Sequence, residues 1–108
     1  MFNGIVSSVG SGKAQVDLET GSIKLGTEAG LLLNSDDANN IAIGVNALDS
    51  AGDSVESLRN IAIGTNALEA VTSGDNNVAI GYNAGDAITT GRQNTLLGWG
   101  ADCSNGLS

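Results

Sequence analysis

A short motif repeats along this chain, and it limits the possible folds more than any other feature. Residues Asn40–Ala47 read N-I-A-I-G-V-N-A, and similar octets begin at Asn60 and Asn77. A looser copy begins at Asn94, and a degenerate one at Ser22. The starting positions 22, 40, 60, 77 and 94 are separated by 18, 20, 17 and 17 residues, which gives five copies. Such a chain is expected to stack one structural unit, or rung, per copy.

The length of the period indicates β-structure. A period of 17 to 20 residues is too short for repeats of paired helices, which need more than about 30. Branched residues before a glycine in each octet favour a strand that ends in a tight turn. Seven positions after each of the first four glycines comes another apolar residue, which predicts a return strand: Leu33, Ala51, Val71 and Ile88. We therefore predict an all-β parallel β-roll, or β-solenoid, of about five rungs over residues 22–108.

Side chains within each strand are expected to alternate between the two faces. The larger residues share one face and are predicted to fill the inside of the coil: Ile23, Leu25, Ile41, Ile43, Ile61, Ile63, Val78, Ile80, Thr95 and Leu97. The other face carries Ala42, Ala62 and Ala79. A solvated face is normally polar, so the alanines predict close approach by another chain. One thin coil buries little core, so we expect a homotrimer with this alanine face as its interface.

Two further positions of the octet predict turn geometry. A glycine stands at the same place in all five copies: Gly26, Gly44, Gly64, Gly81 and Gly98. It indicates either a bend with positive φ or a contact too close for a Cβ atom. Two residues later come Asn46, Asn66 and Asn83, a residue type that tolerates left-handed geometry. Stacked one rung apart, these amides are expected to hydrogen-bond to one another as a ladder.

The repeated pattern N-x-A-I-G-x-N-A resembles the head repeats of trimeric autotransporter adhesins. It is similar also to head-like repeats in bacteriophage tail-fibre and other virion proteins. The resemblance covers residues 22–101, about three quarters of the chain. It implies a left-handed parallel β-roll with three chains packed about a threefold axis. The copies depart from the pattern at Lys24 in the first rung and at Thr95, Leu96 and Gly100 in the last, as is usual for capping repeats.

Composition and charge argue against most other functions. The chain has no histidine and a single cysteine, so it lacks the commonest general base and the usual zinc ligands. A net charge of −8 opposes binding to nucleic acid or to anionic lipid. The acidic residues Asp36 and Asp37, and the group Asp49, Asp53 and Glu56, match no calcium-binding pattern and are interpreted as solvated loop residues. We expect no enzymatic activity, no cofactor and no metal.

The remaining candidate sites are apolar and aromatic. Tyr82 and Trp99 follow the glycines of adjacent rungs, so they should stack on the outside of the coil. They are either a cap over the last strand or a contact for a receptor, such as a host surface glycan. Residues 1–21 are predicted to be a docking arm or collar with a half-exposed strand at 14–19. Its apolar residues Phe2, Ile5 and Val6 are candidate contacts to a partner surface.

These features predict a small bacteriophage virion protein. The arm would bind the capsid or tail, and the trimeric rod would project as a head decoration or fibre. The residues that follow Met1 lack the basic and apolar regions of an export signal. We therefore expect synthesis in the host cytoplasm and a final place on the virion surface. Two alternatives stay open, namely a receptor-binding tail-fibre tip and a fragment of a bacterial trimeric adhesin head.

Overall fold

Each octet folds as one short strand followed by a tight turn. The computed structural model describes residues 14–17, 19–34, 36–51 and 56–102, and in these residues the chain is all-β with no helix. The described strands are β1 (Ala14–Asp17), β2 (Ser22–Leu25), β3 (Ile41–Ile43), β4 (Ile61–Ile63), β5 (Val78–Ile80) and β6 (Thr95–Leu97). They form one sheet in chain order, from β1 to β6. None of the described residues belongs to a helix that is long and apolar enough to span a bilayer.

The repeat register is preserved in space. Strands β2 to β6 pair in parallel with equivalent octet positions opposite each other, so Ala42 lies beside Ala62 and Ala62 beside Ala79. The chain therefore winds as a β-solenoid of about four turns. Strand β1 runs antiparallel to β2, with Val16 opposite Ile23. The strand predicted within the N-terminal segment thus covers the first edge of the parallel sheet.

The repeated glycine is required for two reasons at once. Gly26 and Gly44 have φ of 124° and 125°, a region that other residues rarely adopt. A Cβ atom on Gly26 would lie 2.8 Å from the carbonyl carbon of Gly44, and one on Gly44 would lie 2.7 Å from that of Gly64. The glycine row therefore allows each rung to approach the next.

The predicted return strand is not found among the described residues, where the chain comes back through turns. Leu48 and Leu68 have φ of 56° and 52°, and such left-handed residues interrupt an extended conformation. The apolar residues of this segment still line the core. Ala51 and Val71 are fully buried, Ile88 is 4% exposed, and Leu33 packs against the same cluster.

The faces of the strands are the reverse of the prediction. Ala42, Ala62 and Ala79 are completely buried inside the coil, whereas Ile61 and Ile63 lie outside and are half-buried. The proposed trimer interface through the alanines is therefore wrong, because one chain already covers them. The reason is the narrow interior, which Leu48 and Leu68 fill from the turn side so that only a methyl group fits opposite.

The two end rungs close this interior with larger side chains. Lys24 and Leu96 occupy the inward position that alanine takes in the middle rungs. Both lie beside a glycine that replaces the core leucine: the Lys24 side chain covers Gly30, and Leu96 approaches Gly85. Lys24 Nζ also donates to the Gly30 carbonyl at 3.5 Å. A larger inward residue is thus accommodated where the turn leaves room for it.

Candidate interaction surfaces

The outer side of the parallel sheet is apolar at nine of its ten strand positions. We call its outward-facing strand positions the outer sheet face: Ile23, Leu25, Ile41, Ile43, Ile61, Ile63, Val78, Ile80, Thr95 and Leu97. Only Thr95 among them is polar and none is charged, although the net charge of the chain is −8. Leu25 and Ile80 are each 38% exposed and Leu97 is 65% exposed. The chain therefore presents a continuous uncharged apolar surface to solvent.

A ladder of asparagines runs beside this face, at the positions just after the turn. Asn46, Asn66 and Asn83 have φ of 61°, 63° and 58°. Asn46 Nδ2 donates to Asn66 Oδ1 at 3.3 Å, and Asn66 Nδ2 donates to Asn83 Oδ1 at 3.1 Å. In the last rung the equivalent residue is Gly100, with φ of 66° and no side chain. Within the described residues the Asn83 amide nitrogen is therefore the unused donor at the end of the ladder.

A second asparagine ladder, which was not predicted from the repeat, lies inside the coil. Its members are Asn40, Asn60, Asn77 and Asn94, of which the first three are fully buried. Asn60 Oδ1 accepts from the backbone nitrogen of Asn77 at 3.0 Å and from its Nδ2 at 3.1 Å. The same two bonds join Asn40 to Asn60 and Asn77 to Asn94. The signal was present, since asparagine opens four of the five octets.

One acidic residue, Asp37, has a buried structural role. Asp37 is 1% exposed, and its carboxylate accepts from the backbone nitrogens of Asn34 at 2.9 Å and Ser57 at 2.7 Å. It therefore joins the loops of two successive rungs, which corrects its interpretation as a solvated residue. Asp36 and Glu56 are exposed as predicted, and Asp53 lies outside the described residues. In the described part of the chain no group of three or more His, Cys, Asp or Glu residues is arranged to hold a metal ion.

One carboxyl group has a perturbed pKa. Partial burial raises the pKa of Asp49 above its ordinary value, and the nearby negative charge of Glu28 raises it further. The Ser50 hydroxyl, which donates to Asp49 Oδ1 at 3.2 Å, lowers this pKa but does not cancel the effect of burial. Because its pKa differs from the ordinary value, Asp49 makes the stability of the fold depend on pH.

The two outer aromatic rings form a stacked pair. The centroids of Tyr82 and Trp99 are 6.0 Å apart, with an angle of 11° between the ring planes. Tyr82 is 46% exposed and Trp99 is 80% exposed, so Trp99 does not pack down over the last strand as a cap would. Backbone hydrogen bonds of 2.8 Å from Gly98 to Ile80 and from Gly100 to Tyr82 hold the two rungs in register around them.

The candidate docking residues Phe2, Ile5 and Val6 lie outside the described residues, as does Cys103. Comparison with protein-family models, with curated protein sequences and with solved structures finds no significant match to this chain. The interaction surfaces are therefore interpreted from their own geometry and chemistry.

Proposed function

We propose that this chain is a non-enzymatic structural protein that assembles as a homotrimer through its outer sheet face. The observation that carries the proposal is the partly exposed row of isoleucine, leucine and valine on a sheet whose other face is already filled by its own coil. Parallel sheets normally have both faces covered. The outer sheet face has no cover within the described chain, and an assembly would supply it.

A second copy of the same chain is the occupant that fits this face. Copies of net charge −8 repel one another over most of their surface, but no position of the outer sheet face is charged. The face is also periodic, so a copy in parallel register meets isoleucine or valine at every rung of the central strands. Each methylene group removed from water contributes about 0.8 kcal/mol, which favours association along the whole row.

Three copies about one axis place all three outer sheet faces against one another in a closed assembly. This arrangement is also what the resemblance to trimeric head repeats implies. We propose on the same resemblance that the trimer belongs to the surface of a bacteriophage particle, as a head decoration or fibre. The segment 1–21 would then attach it to capsid or tail proteins. The left-handed winding is part of this proposal.

Light scattering of the purified chain tests the assembly. We expect a mass three times that of the 10.7 kDa chain. Ile63→Asp places a charge in the centre of the outer sheet face and should yield monomers that keep their circular dichroism spectrum. Leu32→Asp is the matched control, because Leu32 is 40% exposed but lies outside this face. If Ile63→Asp does not fold, Ile61→Thr is the milder variant, since Thr95 occupies the equivalent position in β6.

A monomer mass for the unaltered chain would contradict the trimer. The place on the virion has its own test, which is quantitative mass spectrometry of purified particles scaled to the major capsid protein. Tens to hundreds of copies would support a decoration or head fibre. A handful in multiples of three would favour the receptor-binding tail fibre, and absence from particles would contradict both.

A further inference from the structure

The ring pair and the end of the outer asparagine ladder lie together in the last two rungs. We propose that they form a binding site for a neutral sugar ring, which we call the terminal notch and define by Tyr82, Asn83, Trp99 and Gly100. The site goes beyond the structural role proposed above and does not depend on it, because all four residues belong to one chain and one stretch of coil.

An exposed aromatic face is the first element of the site. Trp99 is 80% exposed, and Tyr82 stacks beneath it at 6.0 Å, which leaves the opposite face of the indole open. Backbone hydrogen bonds pair rungs four and five, and the stack with Tyr82 covers only one face of the indole, so a ligand can stack on the other face. Flat apolar ring faces of this kind suit the C–H face of a pyranose.

A hydrogen-bond donor on the residue that follows Tyr82, the side-chain amide of Asn83, is the second, independent element. In each earlier step of the ladder the amide nitrogen of one asparagine donates to the next, as Asn66 does to Asn83. At the last step Gly100 supplies no acceptor, so the Asn83 Nδ2 group is left to bind an oxygen from outside the described chain. A hydroxyl oxygen of a sugar is such an acceptor.

Gly100, which follows Trp99, leaves open space at the next position of the ladder. A Cβ atom on Gly100 would meet nothing within 4 Å, and its φ of 66° is the same left-handed geometry that asparagine adopts at 46, 66 and 83. The backbone therefore does not require glycine here more than in the other rungs. The missing side chain of Gly100 leaves a gap at the place where the next amide of the ladder would lie.

Charge decides which ligand class is favoured. The described basic residues lie elsewhere, since Lys24 is in the first rung and Arg59 and Arg92 precede β4 and β6. With a net charge of −8 and no described Lys or Arg next to Tyr82 or Trp99 in the sequence, the notch disfavours sialic and uronic acids. A cationic ligand would stack on Trp99 but would offer no acceptor to Asn83. A neutral hexose or N-acetylhexosamine satisfies both elements.

Trp99 is the only tryptophan of the chain, so its fluorescence reports directly on the notch. The unaltered protein is titrated with methyl β-D-glucopyranoside, methyl β-D-galactopyranoside, methyl α-D-mannopyranoside and N-acetylglucosamine, and with glucuronic acid for comparison. The titrations run to about 0.1 M, because one stacked ring supports only weak affinity. We expect a saturable change with at least one neutral sugar and none with glucuronic acid.

Gly100→Asn is the decisive variant. It extends the ladder in a conformation that asparagine already adopts in this chain, so the fold should be retained while the notch is filled and the Asn83 donor is used. We expect affinity to fall about tenfold or more, which is the size of one lost contact of this kind. Trp99→Ala should abolish saturation transfer to the sugar in ligand-detected NMR. Val45→Ala should change nothing, because Val45 holds the same position as Tyr82 two rungs away.

Three results would overturn the proposal: no saturable response to any of the four neutral sugars, an equal response to glucuronic acid, or unchanged affinity in Gly100→Asn. The mass of each sample is measured in the same experiment. A monomer mass for the unaltered chain together with sugar binding would contradict only the proposed assembly. A trimer mass without sugar binding would contradict only the terminal notch.

Discussion

The inner and outer faces of the parallel sheet carry similar sequence elements, but one face is buried and the other meets solvent. Each side has an apolar row on the strands and a ladder of asparagines. Inside, the row is Ala42, Ala62 and Ala79 at 0% exposure, and outside it is built from isoleucines that stay half-buried. The smaller residue, not the more hydrophobic one, is therefore buried where the turn segment on the opposite side of the coil lies close to the sheet. Burial here is decided by space, because a close-packed interior has no room for a branched side chain.

The two ladders differ in the same way. The inner amides are buried away from water, so each of their donors and acceptors needs a hydrogen-bond partner within the protein. The outer amides of Asn46, Asn66 and Asn83 are half-buried, and water competes for the same bonds. We therefore expect substitutions inside the wall to cost much more than matched substitutions outside it, and the following predictions test this difference.

The largest effect is expected for Asn60→Ala. The variant removes the acceptor of the Asn77 backbone and amide nitrogens and the donor to the Gly74 carbonyl, so several buried polar groups lose their partners. At about 1–3 kcal/mol per unsatisfied group, we expect a loss of about 4 kcal/mol in the free energy of unfolding. Urea unfolding measures it. Asn66→Ala in the outer ladder should cost about 1 kcal/mol, and equal losses would contradict the comparison.

Leu68→Ala is expected to be next. Leu68 is fully buried and fills the interior opposite the strands, so its removal leaves a cavity and should cost about 3 kcal/mol. Leu97→Ala is the outer counterpart, and at 65% exposure it should cost under about 0.5 kcal/mol in the dissociated chain. Leu68→Gly is a further variant. Glycine adopts the left-handed φ of position 68 with less strain than alanine, so its free energy of unfolding should be about 1 kcal/mol higher than that of Leu68→Ala. Thermal melts at one protein concentration distinguish the three variants.

A matched pair within β4 tests the size limit directly. Ala62→Val adds two methyl groups to a filled interior and should destabilise the chain by about 2 kcal/mol. Ile61→Val removes one methylene group from the outer sheet face and should cost less than about 1 kcal/mol in the dissociated chain. Denaturation in urea compares them. A stabilising effect of Ala62→Val would mean that the interior has free volume.

The smallest effect is expected at Asp49. Its raised pKa means that the folded chain holds the proton more tightly than the unfolded chain does. Stability should therefore fall as the pH rises from the ordinary value of 3.8 through the raised pKa, and then stay level. Asp49→Asn should remove this dependence and leave the chain slightly more stable at pH 7. Ser50→Ala should raise the pKa of Asp49 further, because the Ser50 hydroxyl lowers it, and so should enlarge the loss of stability as the pH rises. Unfolding measured across the pH range checks both variants.

Much of the architecture is predictable from the repeat. The octet spacing predicts a parallel β-solenoid, and the glycine at 44 and 64 predicts the tight approach of rungs that the structure contains. The left-handed turns and the bonds of Asn46 and Asn66 follow from residue type and register. The stacking of Tyr82 on Trp99 follows from the same register.

What alternation did not predict is which strand face lies inside. Both faces of Ile61–Ile63 are apolar, so hydrophobicity alone does not distinguish them, and the larger residues were expected in the core. The turn side of the coil decides the question, since Leu48 and Leu68 enter from there in a left-handed conformation that their residue type does not suggest. Asp37 was missed for a similar reason, because its partner Ser57 belongs to the next rung.

The period, the register and the turn chemistry follow directly from the amino-acid sequence, because they depend on residues that are neighbours along the chain or recur at a fixed spacing. The inner and outer faces of the sheet and the buried asparagine ladder emerged from the tertiary structure alone. Those features depend on the distance between two walls of the coil and between successive rungs. Such distances exist only once the chain has wound on itself.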